Sequence, residues 1–248
     1  MGRSRVTIIL LLSTAGLLCS AAFAKDKEKD AAGQVDSGSF GVFIGSKRMA
    51  TETFSIRQNA EGSSVNSEFK SEAGADKAVQ SSELLLAVNG DLKGYTWNES
   101  SPGQSHATVV PNDNFLLERF SRNPQDKVTE QPFMLPASTS ILDDYFFIQR
   151  EVLAWKFLAT ACRQSKSGPE CQMKQSVQLG TLNPHLRASS PVSMQFSGRE
   201  KVTLHGVERE MVRLDMKSDT GDWTLWLDDQ LKLQRILDTG DNTEIVRD

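Results

Sequence analysis

The chain has 248 residues, 38% of them hydrophobic, with 28 Lys and Arg against 32 Asp and Glu, giving a net charge of −4. That balance excludes a nucleic-acid footprint, which needs clustered basic residues facing phosphates, and argues against electrostatic docking on anionic lipid. A chain this long can still bury a sizeable core at this modest hydrophobic content.

Residues 1–24 read as a secretory signal peptide. Arg3 and Arg5 give a basic start, residues 6–12 with Leu17 and Leu18 a short apolar core, and Ala22-Phe23-Ala24 small residues at the two positions a signal peptidase reads. The apolar run falls short of the roughly 18 residues that a membrane span needs. Leu18 stands before Cys19, where a lipidated leader would carry a small residue. The expectation is an exported protein, periplasmic or extracellular, with no transmembrane span after cleavage. Loss of Arg3 and Arg5 with the leader takes the charge from −4 to −6. Residues 25–37 are polar and mostly charged and read as a flexible tether. With no internal repeat and no later linker, residues 38–248 read as a single β-rich domain.

Most of that domain alternates with period two, the pattern of half-buried antiparallel strands. Phe40, Val42 and Ile44 begin it, and Phe54 and Ile56 line the next strand. Val65 and Phe69 follow, then Leu84 and Leu86, ended by Asn89-Gly90, a strong hairpin signal. Tyr95 and Trp97 sit on a fifth strand, and residues 108–110 and 115–120 add two more. After residue 173 the style resumes with Val192, Met194 and Phe196, then Val212, Leu214 and Met216, then Trp223, Leu225 and Leu227, and a last strand ending at Val246. Short strands separated by polar turns mean a meander, and enough of them curl into a half-barrel or open barrel.

Residues 140–160 break the period. Leu142, Phe146, Leu153 and Phe157 lie on one stripe, and Ile141, Tyr145, Ile148, Val152 and Trp155 on the adjoining one. This predicts a helix with a broad apolar face, capped by Ser140 and with Asp143 and Asp144 at its positive end. Such a helix must be covered on most of its circumference. The expected fold is mainly β, a curved antiparallel meander with one apolar helix packed on the concave face.

Cys162 and Cys171 survive leader cleavage, nine positions apart across a polar, turn-rich segment. In an exported protein they read as a disulfide worth about 2–3 kcal/mol. The pair lacks Cys-x-x-Cys spacing and a nearby His, which disfavours redox or metal chemistry.

This order of elements resembles a group of uncharacterised bacterial exported β-proteins, which pair a long antiparallel half-barrel with one helix. Asp143 or Asp144 and Arg150 match an Asp near the start and an Arg near the middle of that helix. Trp226-Leu-Asp-Asp229, Arg235-Ile236 and Val246 match the group's terminal strands. The resemblance covers residues 38–248. It implies a shell similar to the lipoprotein carriers of the envelope and implies no catalytic residue.

Catalytic signatures are absent from the sequence. His106, His185 and His205 are scattered, so no metal site is expected. There is no nucleophile elbow, phosphate loop or dinucleotide fingerprint, and no cofactor is expected. Asp238-Thr239-Gly240 resembles an aspartic-protease loop but lacks a twin, and reads as a turn. Asp143-Asp144 and Asp228-Asp229 read as helix-start and turn residues. The candidate ligand-facing side chains are Trp226, Trp155, Tyr145, Phe146 and Trp97, with Trp226 foremost because it faces away from Trp223, beside Thr224 and Asp228. The leading expectation is a non-catalytic binding or carrier module for a lipid or another apolar or amphipathic envelope molecule. The alternatives are an assembly protein that binds other envelope proteins through strand edges and a hydrolase of unrecognised type.

Overall fold

Alternating side chains give each strand one apolar face, and polar turns fold successive strands against each other. The computed structural model describes residues 32–72, 77–166, 168–219 and 221–248. The leader predicted over 1–24 and residues 25–31 of the predicted tether lie outside them.

Among the described residues the first half of the chain contributes β1 (Gly33–Ile44), β2 (Lys47–Asn59), β3 (Gly62–Ser71), β4 (Val79–Leu86), β5 (Leu92–Ser101), β6 (His106–Asn112), β7 (Phe115–Ser121) and β8 (Thr129–Phe133). A two-residue strand β9 (Ser140–Ile141), the helix α1 (Ile148–Ala161) and a small hairpin, β10 (Arg163–Ser165) and β11 (Gly168–Glu170), follow. The second half contributes β12 (Ser176–Asn183), β13 (Ala188–Leu204), β14 (Val207–Ser218), β15 (Gly221–Leu227), β16 (Leu233–Asp238) and β17 (Thr243–Arg247).

All but β10 and β11 join one 15-stranded sheet, in the order β8 to β1, then β17 back to β12, then β9. The two halves meet where β1 pairs antiparallel with β17, Phe40 opposite Arg247. The sheet is antiparallel throughout except for the short parallel contact of β9 with β12. It curls without closing into a barrel. Inward residues of both halves, among them Phe40, Ile56, Tyr95, Leu116, Met194, Leu214 and Ile236, form one core cluster with Phe146, Ile148, Leu153 and Phe157 of the helical segment. The predicted class, a curved antiparallel meander holding one apolar helix on its concave face, is the observed one.

Boundaries differ in two places. β1 begins at Gly33, so residues 33–37, read as tether, are strand. The reason is Asp36, which is buried and accepts two hydrogen bonds of 2.7 Å from Arg247 Nη2, with Lys232 Nζ at 3.1 Å. Charged composition signals exposure only when no partner is folded against it. The helix begins at Ile148 rather than near residue 140. Ser140 belongs to β9, accepts a hydrogen bond from Lys156 Nζ, and caps nothing. The N-cap position is Phe147, which has no side-chain cap of its own.

β13 is 17 residues long, but its partner β12 covers only its first part, Ala188 through Gln195. Beyond there β13 and the start of β14 continue as a two-stranded hairpin, turned at His205-Gly206, both with positive φ (50° and 78°) as a tight hairpin turn requires. This hairpin lies over the outer face of β15, β16 and β17. Val202, Leu204 and Met211 bury Trp226 beneath it, with Leu237 and Val246 alongside, in a second small core. His205 Nε2 contacts the Arg247 carbonyl oxygen at 2.8 Å and pins the tip.

Candidate functional site

The helix sits where buried polar groups of the sheet hold it. Glu52, fully buried on β2, accepts the Phe147 N–H at 2.7 Å and lies 3.3 Å from the Ile148 nitrogen, while the Ser67 hydroxyl donates to it at 2.6 Å. A carboxylate at the positive helix end satisfies donors that have no partner within the helix. Burial pushes Glu52 up to about 7 against those hydrogen bonds, which pull it down. One turn along, Glu151 accepts the Leu233 N–H at 2.6 Å, and burial pushes its carboxyl to about 9.

Before the helix, Asp143 is fully buried and organises a second network. Tyr95 donates its hydroxyl to Oδ2 at 2.8 Å, His185 Nδ1 lies 2.6 Å from the same oxygen, and the Tyr145 N–H donates to Oδ1 at 3.0 Å. His185 Nε2 lies 2.9 Å from Gln80 Oε1, which also accepts the Trp97 indole N–H at 2.8 Å. Burial first, and then the Asp143 charge, raise the Tyr95 phenol well above its ordinary range. His185 stands in the β12–β13 turn, so this network bridges the two halves of the curled sheet without a strand ladder. Arg187 of the same turn packs over the Phe120 ring at 5.5 Å and places Nε 3.5 Å from buried Glu118, whose carboxyl burial raises to about 7.

Two expected ligand-facing residues belong to this seam. Trp97 is buried with its ring 3.7 Å from that of His185, and half-buried Tyr145 packs edge-on to Phe69 at 5.2 Å. Phe146 is fully buried in the core. None of the three lines the apolar cavity beside α1. Trp226 is the clearest departure: it is buried, donates its indole N–H to Glu200 at 3.2 Å, and carries the Arg235 guanidinium 4.8 Å above its ring. Strand alternation places it on the outer face correctly, but the overlying hairpin closes that face.

Trp155 is different. It lines an open cavity of about 330 Å³ between α1 and the sheet, walled by Val35, Ile56, Val65, Leu86, Val152 and Leu231, with Gln58, Ser63 and Gln230 as its polar side chains. Trp155 itself is half-buried and donates its indole N–H to the Leu231 carbonyl oxygen at 2.7 Å, which fixes the ring as a wall. A larger depression of about 570 Å³ lies elsewhere on the sheet, but Thr53, Ser55, Asn66, Glu68, Ser81 and Glu83 make it polar. The apolar cavity is the better candidate for an apolar ligand, because water is more readily displaced from an apolar wall.

Asp228 and Asp238 hold turns. Asp228 accepts the Gln230 N–H at 2.8 Å and the Lys232 N–H at 3.0 Å, and Asp238 accepts the Gly240 N–H at 2.8 Å. Cys162 and Cys171 are joined as a disulfide across the β10–β11 hairpin, directly after α1. Among the described residues no group of three or more His, Cys, Asp or Glu is placed to hold a metal ion.

No family model matches the chain, and neither does any curated protein. Its fold is similar to the crystal structure of a β-barrel-like protein of domain of unknown function DUF1849 from Brucella abortus. The TM-score is 0.54 at 9% identity, over 85% of this chain and 93% of that one. The likeness is one of fold. It agrees with the curved β-shell that the arrangement of strands around one helix led one to expect.

Sequence reasoning missed the acids that matter most to this geometry. Glu52 alternates with Phe54 and Ile56 on one face of its strand, so an acid in an apolar row was the available signal. Gln80 and His185 carried no local signal, because their partners are distant in sequence.

Proposed function

We propose that the protein is an exported, non-catalytic binding module for an apolar or amphipathic small molecule, held between α1 and the sheet. The observation that carries this reading is the apolar cavity of about 330 Å³ at Trp155, Val152 and Leu231. Its size falls at the lower end of the roughly 300–1,000 Å³ of small-molecule sites. The charged groups nearby, Asp36, Arg247 and Lys232, are satisfied by one another, so the site offers an apolar wall without a free charge. Export is supported by the signal-like first 24 residues and by the disulfide. No helix of the described residues is long and apolar enough to cross a membrane.

Assembly through strand edges has less support. The edge strand β8 carries Glu130 and Pro132, residues that blunt an edge against pairing. Hydrolysis has less support too, because Asp228 holds a turn and Asp143 is engaged by Tyr95 and His185.

Native mass spectrometry of freshly purified protein, followed by organic extraction, tests the proposal. A bound lipid or similar molecule, released by solvent, supports it. Protein that is uniformly free of adducts and takes up no apolar compound refutes it.

A further inference from the structure

Arg150 occupies an unusual position for a guanidinium. It is 3% exposed, and among the described residues no carboxylate forms an ion pair with it. Its hydrogen bond runs from Nη1 to the Asp143 carbonyl oxygen at 3.2 Å, and Nε has no partner. The rings of Phe147 and Trp223, 5.0 Å and 4.6 Å from the guanidinium carbon, hold the group flat. The charges of Asp144, Glu52, Asp143 and Asp238 act on it without direct contact, which leaves Nε free of a partner, and an arginine offers N–H donors in a planar fork suited to an oxyanion.

The side chain lines a cavity of about 210 Å³, walled by Ser189, Asn183 and Trp223 and edged by Asp144 and Asp219. Both acids are exposed. A simple anion entering this cavity would meet two negative charges at the edge before reaching Arg150. A molecule that carries its own cation would not be repelled. The volume is below that of a drug-sized site and fits a headgroup or a single amino acid.

We propose that this cavity binds a compact zwitterion, with its carboxylate or phosphate on Arg150 and its ammonium between Asp144 and Asp219. The ligand is either a free zwitterion, such as an amino acid or phosphoethanolamine, or the ethanolamine headgroup of a phospholipid. The site is separate from the apolar cavity. Arg150 and Val152 point about 200° apart around the helix, so one site can fail while the other stands.

Calorimetric titration of the mature chain with phosphoethanolamine, glycine, inorganic phosphate and ethanolamine tests it. The expected result is binding of phosphoethanolamine about tenfold or more tighter than phosphate or ethanolamine alone. Asp144→Asn, at an exposed position, should erase that margin, weakening phosphoethanolamine and strengthening phosphate, because one of the two repelling charges at the edge is gone. Arg150→Lys should lose binding of every oxyanion. Should that variant fail to fold, Ser189→Trp fills the cavity from its exposed wall and should abolish binding in a folded protein. Co-sedimentation with phosphatidylethanolamine vesicles that phosphoethanolamine competes away assigns the site to a lipid headgroup, and binding of the free zwitterion alone assigns it to a soluble ligand. No binding of phosphoethanolamine or glycine at millimolar concentration overturns the proposal. So does equal affinity for phosphate and phosphoethanolamine, or unchanged binding by Ser189→Trp.

Discussion

Glu52 accepts the backbone N–H of Phe147 at 2.7 Å across 95 residues of chain. The helix therefore takes its cap from the sheet, and the sheet in turn curls around a helix placed by that cap. One side chain thus couples the two parts of the fold that wall the apolar cavity.

Removing this cap should be expensive. Glu52→Ala leaves the Phe147 and Ile148 N–H groups and the Ser67 hydroxyl without their acceptor, and each buried orphan costs about 1–3 kcal/mol. A loss of about 2–3 kcal/mol is expected in urea denaturation, after partial relaxation. Glu52→Gln keeps one acceptor oxygen and should lose less. Equal stability of wild type and the Ala variant would mean that the helix is positioned by apolar packing alone.

Stability should fall as pH rises from mildly acidic to alkaline. Burial raises Glu52 and Glu118 to about 7 and Glu151 to about 9, from the ordinary 4.5 of the unfolded chain. Between those values the native state holds protons that the unfolded state has released, so their stabilising contribution is complete below 4.5 and lost as pH passes each folded value. Asp36 and Asp248 are held below the ordinary 3.8 by Arg247 and Arg48 against the pull of burial, so their contribution changes only at lower pH. Melting temperatures across this range give the slope. Glu151→Gln should flatten its alkaline end, and an unchanged profile in that variant would count against a buried, protonated Glu151.

Trp226 should matter to stability and not to ligand binding. It is covered by Val202, Leu204 and Met211 of the long hairpin. Trp226→Ala should cost about 3–5 kcal/mol from lost burial and the cavity left behind. Apolar-dye affinity of the folded fraction should be unchanged, and a weakened affinity would put the ligand on the outer face after all.

Local periodicity made much of this legible. Alternation at Phe40, Ile56, Leu84 and Leu214 gave the strands, and Asn89-Gly90 and Asp238-Thr239-Gly240 gave turns that hold in the structure. The nine-residue spacing gave the disulfide. The helix start was read too early because Asp143 is an acid whose partners, Tyr95 and His185, come from other parts of the chain. Tyr145, Phe146, Trp97 and Trp226 looked available for a ligand because burial by distant segments leaves no trace in local sequence. Trp155 lines an apolar cavity, and what places it there is its neighbour Leu231, 76 residues away.

Opening the Cys162–Cys171 bond should loosen the end of α1. A loop this short stabilises by about 2–3 kcal/mol on chain entropy. Paired Ser substitutions should lower the urea midpoint accordingly, while intact native protein should show no alkylated thiol at either position. Two free thiols in exported protein would contradict the pairing.

The most direct test of the binding account is titration of a fluorescent fatty acid into wild type and into Val152→Trp, with circular dichroism verifying the fold of each. Val152 lines the apolar cavity, so the larger ring fills it from the helix side. The account predicts saturable, salt-independent binding to wild type, with quenching of tryptophan emission, and its loss in the folded variant. Absence of binding to wild type, or equal binding to both, would contradict it.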